Sequence, residues 1–163
     1  MKKYGLWIGF ALLLAFIISQ SVAIAIGKEE KIDRKAVFET IQRGYEVQYS
    51  IRGKKLSEEK MYTVLSPYFT DNFLQVFTDE NSDNAKGSGN YLLPQQPPFS
   101  FSEKTKLVHD SEHGILYVYE RINNMYEIIV LQKQDEKWKL AGYYIKEALL
   151  EEIKKLEAEN RSI

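Results

Sequence analysis

"ILYVYERINNMYEIIVLQKQDEKWKLAGYYI", residues 115–145, decides the fold of this chain. β-Branched and aromatic residues dominate it, and two polar breaks, Asn123-Asn124 and Asp135-Glu136, cut it into three runs. Runs of this kind bounded by turn residues read as strands. Asn tolerates positive φ, so Asn123-Asn124 suits a tight hairpin. A further run at 104–109 precedes the turn "DSEHG". The sequence thus predicts an antiparallel meander of four strands, at 104–109, 115–122, 125–133 and 137–145.

Simple two-residue turns fix a register. Asn123-Asn124 pairs Glu120 with Glu127, and Asp135-Glu136 pairs Glu127 with Tyr144. These three share one face with Leu116, Val118, Ile129, Leu131 and Leu140, while Tyr117, Tyr119, Tyr126 and Tyr143 fall on the other, either packed under helices or forming an outer contact surface for a polymer or partner. Carboxylates directly opposite each other are unfavourable. On a partly covered apolar face they raise one carboxyl pKa, as in a general acid or base. Glu120, Glu127 and Tyr144 are therefore the candidate ligand-binding residues.

Outward from the strands the period changes. Ile145, Leu149, Ile153 and Leu156 form an apolar stripe on a charged C-terminal helix, with Glu151 and Lys155 spaced for an ion pair on its wet side. On the N-terminal side, Asp33 caps a helix with Phe38, Ile41, Tyr45 and Tyr49 on one face, ended by Gly53. Ser57 caps a second with Met61, Val64 and Leu65 inward, ended near Pro67. Thr70 caps a third carrying Phe73, Leu74, Val76 and Phe77. Pro94, Pro97 and Pro98 keep the connection to the sheet irregular. Helices first and an antiparallel sheet after is an α+β architecture.

The segments "PYFTDNFLQVF" (67–77), "PPFSFSEKTKLVHD" (97–110) and "EKWKLAGYYI" (136–145) resemble a family of small exported proteins of unknown function from Gram-positive spore-formers, over about residues 33–151. More loosely, helices followed by a strand carrying "WK-L" resemble the NTF2-like fold. That likeness implies helices packed on a curved sheet of about four strands, a cone. It implies no catalytic residues, and the superfold hosts enzymes and inert binding modules alike.

The N-terminus reads as targeting. Lys2 and Lys3 precede an apolar run at 6–18, and Ala23-Ile24-Ala25 has the small-x-small form of a signal peptidase site. The stretch 6–26 is also about 31 Å long as a helix, enough to span a bilayer. Residues 1–26 are thus a signal peptide or a membrane anchor, and 27–163 a single exported domain, outside the cell or on the outer face of its membrane.

With 22 basic and 23 acidic residues the chain has no basic field for nucleic acid. Cysteine is absent, which removes disulfides and thiolate chemistry. In "TDENSDNAKGSGN" (78–90), Asp79, Asn81 and Asp83 open like a calcium loop, but Asn84 replaces its Gly and Asn90 its bidentate Glu. His109 and His113, the only two histidines, lie in a turn without a third ligand. No metal site, cofactor or catalytic residue is assigned. The expected function is non-catalytic binding of a protein, peptide or small ligand at the cell envelope. The alternative is a small-molecule enzyme using the Glu120/Glu127 carboxylates with Tyr144 in the cone, and a retained anchor would allow a plain spacer.

Overall fold

The computed structural model describes residues 32–54, 56–81 and 93–160. The chain runs α1 (Arg34–Ser50), α2 (Glu58–Leu65), α3 (Asp71–Asn81), β1 (Lys106–Asp110), β2 (Ile115–Ile122), β3 (Met125–Gln134), β4 (Lys137–Lys146) and α4 (Glu151–Asn160). The strands form one antiparallel sheet in the order β1-β2-β3-β4. This is the expected α+β meander. Its turns are the expected ones too: Asn123 and Asn124 have φ of 49° and 65°, Asp135 and Glu136 of 53° and 60°. Positive φ at both central residues matches the strand twist and closes a two-residue hairpin. Residues 1–26, the expected signal peptide or anchor, lie outside the described residues, and no described helix is long and apolar enough to cross a membrane.

The helix starts follow local chemistry. The Asp33 carboxylate accepts from the backbone N–H groups of Lys35 and Ala36 at 2.9 and 3.2 Å. Ser57 Oγ accepts from Lys60 N at 3.4 Å, and Thr70 Oγ1 from Phe73 N at 3.4 Å. Each side chain satisfies a donor that the first helical turn leaves free.

Both faces of the sheet are covered. One carries Leu116, Val118, Ile129, Leu131 and Leu140, all buried, on the side of α1 and α3. The start of β4 is tied there by a parallel bridge between Phe69 and Leu140, with Thr70 N donating to Leu140 O at 2.9 Å. Gly44 lets α1 approach, since a Cβ there would lie 2.8 Å from Leu140 Cδ1. On the other face Val108, Tyr117, Tyr119 and Ile128 form a core with Leu149 and Ile153 of the C-terminal segment. Burying an aliphatic side chain of that size contributes about 1.5–3 kcal/mol. The expectation that the tyrosines of this face pack under a helix holds for Tyr117 and Tyr119.

Several helical phases differ from expectation. In α1 the buried set is Val37, Ile41, Gly44, Tyr45 and Gln48, while Tyr49 is 46% exposed. Val64 and Val76 face solvent, because short helices on the rim bury only a narrow stripe. Ile145 belongs to β4 and is exposed, so the apolar set of the C-terminal segment begins at Leu149, just before α4. Glu151 pairs with Lys154 at 2.6 Å instead of Lys155, which reaches Glu159 at 3.9 Å.

The largest departure lies in β4. The register shifts between Val130 and Leu131: Val130 faces Gly142 but Leu131 faces Leu140. Ala141 is the extra residue of a β-bulge, and every side chain beyond it changes face. Glu127 therefore faces Ile145, and Ile129 faces Tyr143. Tyr143 joins the carboxylates, while Tyr144, opposite Ile128, leaves them.

Candidate functional site

Glu120 and Glu127 are cross-strand partners, as the Asn123-Asn124 turn predicts. Their environments differ from the expected shared, repelling pair. Glu120 is buried, and its Oε2 accepts from Ser100 N at 2.9 Å, Ser100 Oγ at 2.9 Å and Thr105 Oγ1 at 2.8 Å. Burial pushes its pKa up, but these bonds and the nearby Lys104 charge outweigh burial and hold it below the ordinary glutamate value. A carboxylate so held is a structural anchor. It fastens the incoming segment to β2, and Arg34 fastens the same segment to α1 by donating to Ser102 O and Thr105 O at 2.7 and 2.5 Å.

Glu127 has a different partner. The Tyr143 hydroxyl donates to its Oε2 at 2.5 Å. Burial, then this bond and the Glu127 charge, push the Tyr143 phenol pKa well above its usual value. Tyr45 of α1 is 1% exposed, and its hydroxyl has no hydrogen-bond partner among the described residues. Burial, then Tyr143 and Glu127, raise its pKa as well, so both phenols keep their protons near neutral pH. The expected triad thus becomes Glu127, Tyr143 and Tyr45. Tyr144 is 44% exposed on the opposite face and takes no part. The bulge is the reason, and Gly142 inside a strand pattern was the signal for it.

A second feature was not read from the sequence. Along α1 runs an open groove of two adjoining hollows, about 610 and 530 Å³, that share Gln42 and Phe101. Gln42, Glu46 and Tyr49 form the helix wall of the larger hollow, and Gln95, Gln96 and Pro97 the facing wall. That facing wall is pinned in place. Buried Gln48 donates to Pro94 O at 3.0 Å and accepts from Arg52, which in turn donates to Leu93 O at 2.5 Å. Phe99 and Phe101 line its base, and the smaller hollow continues past Phe38 to Asp33. Phe101 has a φ of 52°. A bulky residue with positive φ is a steric outlier, of order 1–3 kcal/mol. Edge contacts to Phe38 and Phe99, with ring centroids 5.1 and 5.9 Å away, hold it there.

The histidines do not converge. His113 Nδ1 lies 2.8 Å from Asp110 Oδ2, whereas the His109 ring meets the Trp138 ring at 5.5 Å. Burial raises the Asp110 pKa, but the bonds from His113 dominate and lower it. Among the described residues no group of three or more His, Asp or Glu side chains could hold a metal ion. Most of the loop at 78–90 lies outside the described residues.

Fold and site together define a small α+β domain, helices on both faces of a four-stranded meander, with a groove along its first helix. The chain belongs to a family described as "Protein of unknown function (DUF3993)", whose profile matches residues 33–122, from the cap of α1 to the last residue of β2. No curated protein and no solved structure gives a significant match.

Proposed function

We propose that this chain is an exported, non-catalytic domain that binds a ligand at the cell envelope, with an NTF2-like arrangement of helices on its sheet. The groove along α1 carries the reading. Its exposed Tyr49 and its amide side chains present a contact surface, and Phe101 keeps an unfavourable backbone conformation at the junction of the two hollows. Backbone strain retained at a surface groove points to a functional constraint. Export rests on Lys2, Lys3, the apolar run at 6–18 and Ala23-Ile24-Ala25. The near balance of 22 basic and 23 acidic residues argues against a nucleic-acid partner. The orphaned Tyr45 hydroxyl beside Glu127 and Tyr143 favours a second reading, a small-molecule enzyme, but none of these three residues lines either hollow of the groove.

The test is cosedimentation of the purified full chain, held in mild detergent, with detergent-washed cell envelopes. Binding is expected, and Tyr49→Ala should weaken it at least about fivefold, the loss for a contact of about 1 kcal/mol. No cosedimentation, or cosedimentation indifferent to Tyr49, refutes the reading.

A further inference from the structure

We infer that the groove along α1 takes a neutral oligosaccharide. This rests on the binding role proposed above and names the ligand class.

The first observation is charge. Each ionic group at the groove is already engaged. Lys35 pairs with Glu39 at 3.9 Å, and Glu46 with Arg43 at 2.9 Å. Arg34 is held by two backbone carbonyls and lies over the Phe38 ring, 4.8 Å from its centroid, while Asp33 caps the helix. With Arg34, Lys35, Arg43 and Arg52 interspersed among Asp33, Glu39 and Glu46, the groove presents no strong field of one sign to an acidic or a basic polymer, and an uncharged ligand fits it.

The second observation is hydrogen-bonding capacity. Gln42, Gln95 and Gln96 are exposed, and their side-chain amides have no hydrogen-bond partner among the described residues. Each amide offers two donors and an acceptor side by side. Sugar hydroxyls also donate and accept from one atom, so each amide can be matched in both senses. A proline-rich peptide, the other usual occupant of an aromatic groove, presents carbonyl acceptors and few donors. It offers the three amide oxygens fewer donors than a saccharide does. The amides decide for the saccharide.

The third observation is the aromatic surface. Tyr49 and Phe101 supply aromatic lining, and Arg52 stands over the half-exposed Tyr49 ring, 5.3 Å from its centroid. The axial C–H groups of a pyranose ring pack on the faces of such rings. The residues from Asp33 to Tyr49 span about 24 Å of helix axis. An open trough of that length suits several linked rings better than one enclosed molecule.

The experiment titrates the ¹⁵N-labelled full chain with cellotetraose and with chitotetraose, following the side-chain NH₂ signals of the glutamines. A charged control, an oligogalacturonate, and a proline-rich dodecapeptide are run beside them. Either neutral tetrasaccharide should shift the Gln42, Gln95 and Gln96 amides saturably, and Tyr49→Ala and Gln42→Ala should each weaken binding at least fivefold with melting temperature unchanged. The acidic sugar should bind no tighter than its neutral counterpart. Silence from both neutral sugars at millimolar concentration overturns the inference, as does a peptide that shifts the same amides at lower concentration. If the sugars are silent while envelope binding still depends on Tyr49, the ligand class is wrong and the binding role stands. If both fail, both are wrong.

Discussion

Replacing Glu120 with glutamine should destabilise this domain, although it removes one of two carboxylates that face each other across the hairpin. In the folded chain Glu120 Oε2 collects three hydrogen bonds, from Ser100 N, Ser100 Oγ and Thr105 Oγ1, at 2.8 to 2.9 Å. Hydrogen bonds to a charged group contribute about 1.5–3 kcal/mol, against about 0.5–1.5 for neutral ones. Neutralising the acceptor weakens all three at once, and Thr105 is fully buried with no water to turn to. The opposing gains are relief of the cost of burying the charge and relief of repulsion from Glu127, the latter about 0.2–1 kcal/mol for a cross-strand pair. The net expectation is a loss of about 1–2 kcal/mol at pH 7, read from urea unfolding followed by circular dichroism. The pH dependence gives a second check. The Glu120 pKa in the folded state lies below its reference of 4.5, so its contribution is full above that pH and is lost as pH falls through the folded value. Glutamine does not titrate. The gap between wild type and variant should therefore shrink below about pH 4.5. A variant as stable as wild type at pH 7, or a gap constant down to pH 3, refutes the account of this carboxylate as an anchor.

The bulge makes neighbouring tyrosines unequal. Tyr143→Phe removes the donor 2.5 Å from Glu127 and should cost about 1–2 kcal/mol in the same unfolding assay, whereas exposed Tyr144→Phe should change stability by less than about 0.5 kcal/mol. The reverse ranking would restore the unbulged register. Glu136→Gly should raise the melting temperature, by about 0.5–1 kcal/mol of stability, because Glu136 has a φ of 60° and glycine takes that conformation without strain. A lower melting temperature would show that the Glu136 side chain does more than meet Lys133 in an exposed ion pair at 3.6 Å.

The sheet was legible because its signals are local. Asn123-Asn124 and Asp135-Glu136 mark the turns, and the apolar runs between them have strand lengths, so order and direction follow from the sequence. The carboxylate pair was legible for the same reason, lying three residues either side of one turn. Its chemistry was not. Ser100 and Thr105 reach Glu120 from 20 and 15 residues away, and nothing in the strand pattern announces them. A regular β4 would put Tyr144 in the site, and one inserted residue places Tyr143 there instead. Gly142 was the available cue. Gln48 was hidden differently: a buried polar residue on an apolar face is intelligible only once its bonds to Pro94 and Arg52 are seen. The positive φ of Phe101, which lines both hollows of the groove, leaves no mark on the sequence at all.

The segment that identifies the family ends at Ile122, the last residue of β2, and that boundary is not one the chain can fold to. Residues 33–122 would keep β1 and β2 but lose β3 and β4, the strands that supply Ile128, Ile129, Leu131 and Leu140 to the two faces. Leu149 and Ile153, which close the second face, would go as well. The remaining ribbon would carry a bare hydrogen-bonding edge along β2 beside uncovered Leu116, Val118 and Tyr119, the profile of a sticky fragment. The stretch by which this family is recognised and the stretch that folds as a unit are thus different lengths of chain, and an expression boundary drawn at the shorter one should yield aggregate.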